Sequence, residues 1–323
     1  MDYNLLLECR PVKMLVNTQT CEIEQGLLVV KPSNGGCSLG SLDVLEITEQ
    51  YKQFGALLFR GFDYTIDEFK LFTDQFCSNY VSNRSPGRDL LSDDGRVQTV
   101  NLGEKHFSLH PEIAREPWQP DIAWFACQSP SNVGGETIVC DGVAAVEQFS
   151  TELIELMQNN GLSHALPTDL GWASQFLQDP TLTLSKLLES GYLSGFKFSI
   201  VNGQLIRTYE RPMLHKPMFD DRWAYGSFLV FARRNLGISN FPTYLSGAKI
   251  EDKWVDEIES ATRKVSVEIK WREKDLIMLD NTRFMHGRNP IGDPQNRKIL
   301  TQFGYVSFVP QDYPNLEQQI WRS

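Results

Sequence analysis

Leu109-His110-Pro111-Glu112 puts an imidazole and a carboxylate two positions apart. In an extended strand, residues i and i+2 project to one face, so His110 and Glu112 would aim a nitrogen and an oxygen at one point while Pro111 projects away. That is two thirds of a 2-His-1-carboxylate iron site. Proline lacks a backbone N–H, which places the segment at the edge or end of a strand, where a ligand can approach. A second histidine from elsewhere in the chain is needed to complete the set.

Four other histidines are available. His106 lies four residues upstream and would share the strand face of His110. His164 follows a helix end, and His215 sits in a proline-rich loop. His286 follows Asp275-Leu276-Ile277-Met278-Leu279-Asp280-Asn281, a buried strand that turns polar, and precedes the turn Gly287-Arg288-Asn289-Pro290. That setting suits a ligand, although it also suits a satisfied core histidine. Eleven residues later, Arg297 opens Arg297-Lys298-Ile299-Leu300-Thr301-Gln302-Phe303. If this is a strand, Arg297, Ile299 and Thr301 share a face. An arginine pointing into a β core needs an anion, because an unpaired buried charge is costly, and its planar fork fits a carboxylate. An exposed arginine at a strand start is the alternative. Lys298 is adjacent, and alternation lets only one of the two face inward.

The chain of 323 residues suffices for one large domain or two ordinary ones. Its 41% apolar and 22% charged residues fit a soluble globular protein. The net charge of −10 opposes binding to nucleic acid. Met1-Asp2-Tyr3-Asn4 offers no positive n-region, and no apolar run approaches the roughly 18 residues of a membrane span. Six cysteines without a C-x-x-C pair read as reduced thiols of a cytoplasmic protein.

Residues 26–30 read as a strand, 42–54 as a helix closed by Gly55, 56–60 as a buried strand and 66–76 as a second amphipathic helix. Residues 78–105 are polar and turn-rich, suited to a substrate loop or lid. Further on, 121–128 is a strand, Gly134-Gly135 turns into another strand, and Asp141 caps a helix running to about Asn160. Asp179, Pro180 and Gly191 bracket one more helix. Asn202-Gly203 turns a hairpin over 196–209. Residues 227–232 read as a strand, 252–263 as a helix, and 265–271, 276–279 and 297–308 as strands. The pattern predicts a mixed α and β fold, one domain over 1–323. Its antiparallel β core (about 50–308) is surrounded by helices and carries a helical insert at about 142–225.

Together, His110-x-Glu112, Gly134-Gly135-Glu136-Thr137, Asp280-Asn281…His286-Gly287-Arg288 and Arg297 resemble the TauD/TfdA family of Fe(II)- and 2-oxoglutarate-dependent dioxygenases. H-x-E alone is weak; four pieces in order, with Thr137 27 residues after His110, are specific. The resemblance spans about residues 50–308. Around residues 279–288 it is nearest the branch acting on amino-acid-like intermediates of secondary metabolism. It implies a double-stranded β-helix (jelly-roll, cupin-like) core. By the resemblance His110, Glu112 and His286 are the iron ligands. Arg297 pairs with the distal carboxylate of 2-oxoglutarate, and Thr137 helps to hold that cosubstrate. Some members carry a second arginine four positions after the first; here that position is Thr301.

The implied reaction uses Fe(II), O2 and 2-oxoglutarate, releases succinate and CO2, and oxidises an unactivated C–H bond. Related halogenases have a small residue at the carboxylate position, so Glu112 implies hydroxylation first, with desaturation or ring closure as alternatives. A cupin-like metal protein without 2-oxoglutarate, or a non-catalytic binding protein, are the other readings. The expected partner is a small amino-acid-like or secondary-metabolite substrate, free or tethered to a carrier protein. Asn101, Arg288 and the set Arg207, Tyr209, Arg211 are candidate substrate contacts. Asp280 and Asn281 either support His286 or form a turn. Trp118, Trp172 and Phe107 read as core.

Overall fold

The run at 122–127 is apolar at every position rather than at alternate ones, the mark of a strand covered on both faces. The computed structural model bears this out. It describes residues 19–322 apart from 25, 34–36, 84, 86, 101–102, 190–191, 194 and 315–318. The strands of the first half are Gln19–Glu24 (β1), Leu27–Pro32 (β2), Ala56–Phe59 (β3), Cys77–Tyr80 (β4), Gln98–Thr99 (β5), Phe107–His110 (β6), Ile122–Ser129 (β7), Thr137–Asp141 (β8) and Gly161–Pro167 (β9). Those of the second half are Tyr192–Leu193 (β10), Phe196–Val201 (β11), Gln204–Pro212 (β12), Leu214–His215 (β13), Ala224–Tyr225 (β14), Thr243–Tyr244 (β15), Ser266–Ile269 (β16), Leu276–Asp280 (β17), Phe284–Arg288 (β18) and Lys298–Val306 (β19). The larger sheet has the order β1-β2-β3-β17-β7-β19-β4, with β5 on β19. The second has the order β16-β8-β18-β6. Strands β2 and β3 run parallel; their neighbours pair antiparallel.

Alternation sorts the side chains into layers. On β7, Trp124 and Ala126 pack with Tyr51, Phe69 and Phe72 from the helices Val44–Phe54 (α1) and Ile66–Asp74 (α2). Ala123, Phe125 and Cys127 point the other way, onto Val139, Ile269 and Phe284 of the second sheet. Beyond that sheet, Cys140 and Met285 meet Val255, Ile258 and Ala261 of the helix Asp252–Lys264. Burying one large apolar side chain in these layers stabilises by about 1.5–3 kcal/mol. Phe284 and His286 share a face of β18, so His286 is turned into the space between the sheets, with the Phe125 ring centroid 4.8 Å away.

Local chemistry fixes the helices that the sequence predicts. Asp43 accepts from the N–H groups of Leu45 and Glu46, and Gly55 closes α1 at φ 69°. Thr65 and Glu68 form a capping box on α2. Four expectations change. The helix expected from Asp141 to about Asn160 breaks into Gly142–Val146 and Thr151–Gln158, because Ser150 caps a second start. Residues 227–232 contribute to the helix Leu229–Arg234, not a strand. Asp179 caps the turn at Thr181, and the helix begins only at Leu184. The insert is not simply helical: short helices, including an unexpected one at Leu170–Phe176, accompany a five-stranded sheet of order β10-β11-β12-β9-β15. No helix among the described residues is long and apolar enough to cross a membrane.

Strands β6 and β18 approach closely at Gly287, where a Cβ would stand 2.6 Å from the Phe107 carbonyl oxygen. Gly287→Ala should therefore force the two strands apart and lower the unfolding free energy by about 1–3 kcal/mol. Urea denaturation checks this; an unchanged midpoint would refute the tight approach.

Candidate active site

Register brings the histidines together. His286 of β18 pairs across the ladder with His110 of β6, and their ring centroids are 4.8 Å apart. Strand β6 is an edge strand that ends at His110, as Pro111 requires. Glu112 is not on that strand. It lies in the turn that follows, and its Oε2 reaches to 3.5 Å from His286 Nε2. His286 itself lies within a strand rather than beside a turn.

The Asn281 carboxamide holds this turn. Glu112 N donates to Asn281 Oδ1 (2.7 Å), and Asn281 Nδ2 donates to the carbonyls of Glu112 (3.1 Å) and Pro120 (2.8 Å). Asp280 instead accepts from Thr282 N and Oγ1 in the turn after β17. Glu112 Oε1 accepts from the Asn83 carboxamide, and Arg88 Nη2 lies 3.7 Å away. Glu112 Oε2 is buried without a hydrogen-bond partner. His110 Nδ1 lies 2.8 Å from the Ser108 carbonyl; donating there leaves Nε2 with a free lone pair.

Burial pushes the His110 imidazole down to about 4, and the His286 ring adds to this. Burial alone would raise the Glu112 carboxyl, but Arg88 and the two imidazoles outweigh it and bring it to about 2. At neutral pH an ionised carboxylate therefore faces a neutral His110, the protonation states that metal ligands need. Among the described residues, no group of three His, Cys, Asp or Glu side chains is already arranged to hold a metal ion.

The cluster opens into a cavity of about 1060 Å³ whose wall includes Thr137 and Arg297. Thr137 Oγ1 accepts from Trp271 Nε1 (3.0 Å). Arg297 Nε donates to the Gly135 carbonyl (2.9 Å). Gly135 adopts φ 77°, and a Cβ on it would meet the Arg297 side chain at 3.0 Å. Lys298 is exposed, and a register shift between Lys298 and Ile299 interrupts the alternation. The tether to Gly135, rather than parity with Ile299 and Thr301, thus turns Arg297 inward. Burial pushes its guanidinium down to about 10, with Arg288 adding to this. Among the described residues, no carboxylate forms an ion pair with it. Thr301 is fully buried and donates to the Trp124 carbonyl (2.8 Å).

The remaining candidates separate. Arg288 lines the cavity, but it also donates to the carbonyls of Gly103 (2.8 Å) and Lys105 (2.9 Å). Arg207 is engaged bidentately by Glu116 at 2.8 and 2.9 Å. Arg211 bonds the Ala114 carbonyl and Gln119 Oε1, and with Tyr209 borders a second cleft. His106 is exposed, His164 packs on Tyr209 and Phe241, and His215 bonds the Thr282 carbonyl; none joins the cluster. Asn101 lies outside the described residues. Trp118 and Trp172 pack against the small core of Phe196, Phe198 and Leu205, as expected, and also line the cavity; Phe107 lines it too. Asn83, Arg88 and Trp271 were not singled out by sequence reasoning, beyond the placing of the first two in the 78–105 loop.

The family model for taurine catabolism dioxygenase TauD, TfdA family, matches residues 31–302. The chain belongs to this family. It is 23% identical to the dapdiamide synthesis protein DdaC of Enterobacter agglomerans, over 84% of this chain and 87% of that one. It is 22% identical to a clavaminate synthase-like protein of Arabidopsis thaliana, over 76% of this chain and 80% of that one. PvcB of Pseudomonas aeruginosa shares the fold at 13% identity and a TM-score of 0.60, covering 91% of this chain and 95% of its own. PvcB is an Fe, α-ketoglutarate-dependent oxygenase from an isonitrile synthetic pathway. As a TauD/TfdA member, the protein is a dioxygenase.

Asn281→Ala would strand the buried N–H and carbonyl of Glu112 and should cost at least about 1–3 kcal/mol in urea unfolding. Asn281→Asp should not rescue it, since a carboxylate cannot donate to the carbonyls of Glu112 and Pro120. Wild-type stability in Asn281→Asp would contradict the clamp.

Proposed function

We propose that the cavity binds Fe(II) through His110, Glu112 and His286, and 2-oxoglutarate through Arg297 and Thr137, to oxidise a small amino-acid-like or secondary-metabolite molecule. The observation that carries this reading is two groups in one cavity: Glu112 Oε2, buried without a hydrogen-bond partner and facing His286, and the half-buried Arg297, which has no carboxylate partner among the described residues. Family membership and the two face-packed sheets support it, the latter as a double-stranded β-helix. The names of DdaC and PvcB support the secondary-metabolite setting, whether the substrate is free or carrier-tethered.

Ferrous iron supplies the chemistry that couples O2 and 2-oxoglutarate to C–H oxidation. For hydroxylation the balance is RH + O2 + 2-oxoglutarate to ROH + succinate + CO2, with one oxygen atom going to each organic product. The chain's own residues do the rest. Ser108 and Asn281 orient His110 and Glu112, and Asn83 steadies the other carboxylate oxygen. Arg297 fixes the cosubstrate's distal carboxylate through its free nitrogens while Nε stays on Gly135. Phe125 and Phe231 pack on the histidine rings and keep water from them. Glu112 occupies the position that halide binding would need vacant, which favours hydroxylation, with desaturation or ring closure as the related outcomes.

Purified protein should bind Fe(II) anaerobically and release succinate from 2-oxoglutarate in air. His286→Ala and Glu112→Ala should abolish iron-dependent turnover; turnover that survives His286→Ala sinks the assignment. Arg297→Gln should raise the 2-oxoglutarate concentration for half-saturation about 10–100-fold, the value of a charge-assisted hydrogen-bonded pair. An unchanged value would place the cosubstrate elsewhere.

A further inference from the structure

Five cations line the cavity (Arg88, Lys105, Arg115, Arg288 and Arg297) against two carboxylates, Glu112 and Glu116, in a chain of net charge −10. Such a local excess attracts anions. Arg88 sits beside Glu112, Arg288 holds two backbone carbonyls, and Arg297 serves the cosubstrate in the reading above. Lys105 is exposed. Glu116 is paired bidentately with Arg207, and the neighbouring Arg115 adds to the positive field on it without forming an ion pair.

Arg115 remains. Among the described residues it forms no hydrogen bond and no ion pair; its guanidinium lies 5.2 Å over the Phe228 ring. The Phe228 ring is 6.4 Å from that of His110, so the cation stands within about 12 Å of the imidazole. The chain reverses immediately after Glu112, with Ile113 at φ 56° and Glu116 N donating to the Ile113 carbonyl at 3.1 Å. Glu112 and Arg115 thereby line one cavity from one turn. Its wall also carries Trp118, Trp172 and Phe176, with ring centroids 5.1 to 5.2 Å apart at the Phe176 contacts.

We propose that Arg115 receives a carboxylate of the substrate, whose apolar or aromatic body lies along Phe228 and the Trp118–Trp172–Phe176 wall. The guanidinium fork suits a carboxylate, the ring beneath it holds the cation in place, and the aromatic wall supplies apolar burial. The substrate class is thus a carboxylic acid with a bulky apolar body, oxidised at a carbon presented to the His110, Glu112 and His286 cluster. That last step rests on the dioxygenase reading; the anion site does not.

The test titrates the Fe(II)- and 2-oxoglutarate-loaded protein, under anaerobic conditions, with 3-phenylpropanoate, N-acetylphenylalanine and octanoate, each against its amide. Quenching of tryptophan fluorescence reports binding near Trp118 and Trp172. At least one acid should bind saturably and at least about tenfold more tightly than its amide. Arg115→Gln should weaken that acid about 10–100-fold, and Arg115→Lys should recover part of the loss, keeping charge without the fork. Equal binding of acid and amide, no saturable acid, or wild-type binding by Arg115→Gln would overturn the proposal. If Arg115→Gln does not fold, Arg115→Met takes its place, and wild-type binding of the acid by that variant would overturn the proposal. The same titrations without iron, alongside separate assays of 2-oxoglutarate binding and succinate release, tell the two readings apart. Failure of those assays overturns the dioxygenase reading, while the change that Arg115→Gln makes in the acid-against-amide ratio still decides for Arg115.

Discussion

The Asn281 carboxamide bonds the backbone on both sides of Glu112, and the rest of the cavity depends on that clamp. Pro111 cannot donate to a ladder, so β6 ends at His110 and the chain leaves the sheet. Without a substitute for the lost ladder, the buried N–H and carbonyl of Glu112 would go unpaired. Asn281 supplies both, from the turn that also leads into His286. A single side chain thus ties the carboxylate's segment to the turn that leads into the strand carrying the second histidine, and Pro120, just before β7, is held by the same amide. Strand pairing sets the spacing of the imidazoles, and the amide sets the position of the carboxylate relative to them.

Charge balance decides what the cavity can hold. A buried carboxylate oxygen and a buried guanidinium are each costly when unpaired. Arg60 illustrates the ordinary solution, a bidentate pair with the buried Asp275. Arg283 with Asp141 and Arg322 with Asp121 do the same. Against that background, Arg297 stands out because no carboxylate among the described residues pairs with it, and Glu112 because Asn83 and Arg88 meet only one of its oxygens. Their separation leaves complementary sites for a cation and an anion in one space.

Much of this was legible in the chain because motif residues sit where register is tightly specified. Two apolar faces fix β7 and β17, and alternation then orients Phe284 and His286 without further information. Caps made α1 and α2 readable. The failures are also physical. A short apolar run looks alike in a buried strand and a buried helix, and residues 227–232 went to the helix. Parity misplaced Glu112, since it assumes an extended backbone that the turn at Ile113 does not provide. Parity at Arg297 gave the right direction for a different cause, the bond to Gly135. Long-range partners left no local trace: Asn83 reaches Glu112 across 29 residues, and Glu116 engages Arg207 across 91.

Ile113 joins these threads. A β-branched residue at positive φ is strained by roughly 1–2 kcal/mol, and nothing about packing a small turn demands isoleucine there. The conformation persists because the surrounding bonds over-determine it: Asn281 holds the residue before it, and Glu116 N closes the turn after it. Relaxing Ile113 into an extended conformation would swing Glu112 off the imidazoles or Arg115 out of the cavity. The strain is therefore the structural cost of making one short turn serve both the metal-facing carboxylate and the free guanidinium. It also fixes the separation of the two backbones, and the Phe228 ring beneath the guanidinium then limits where the Arg115 side chain lies.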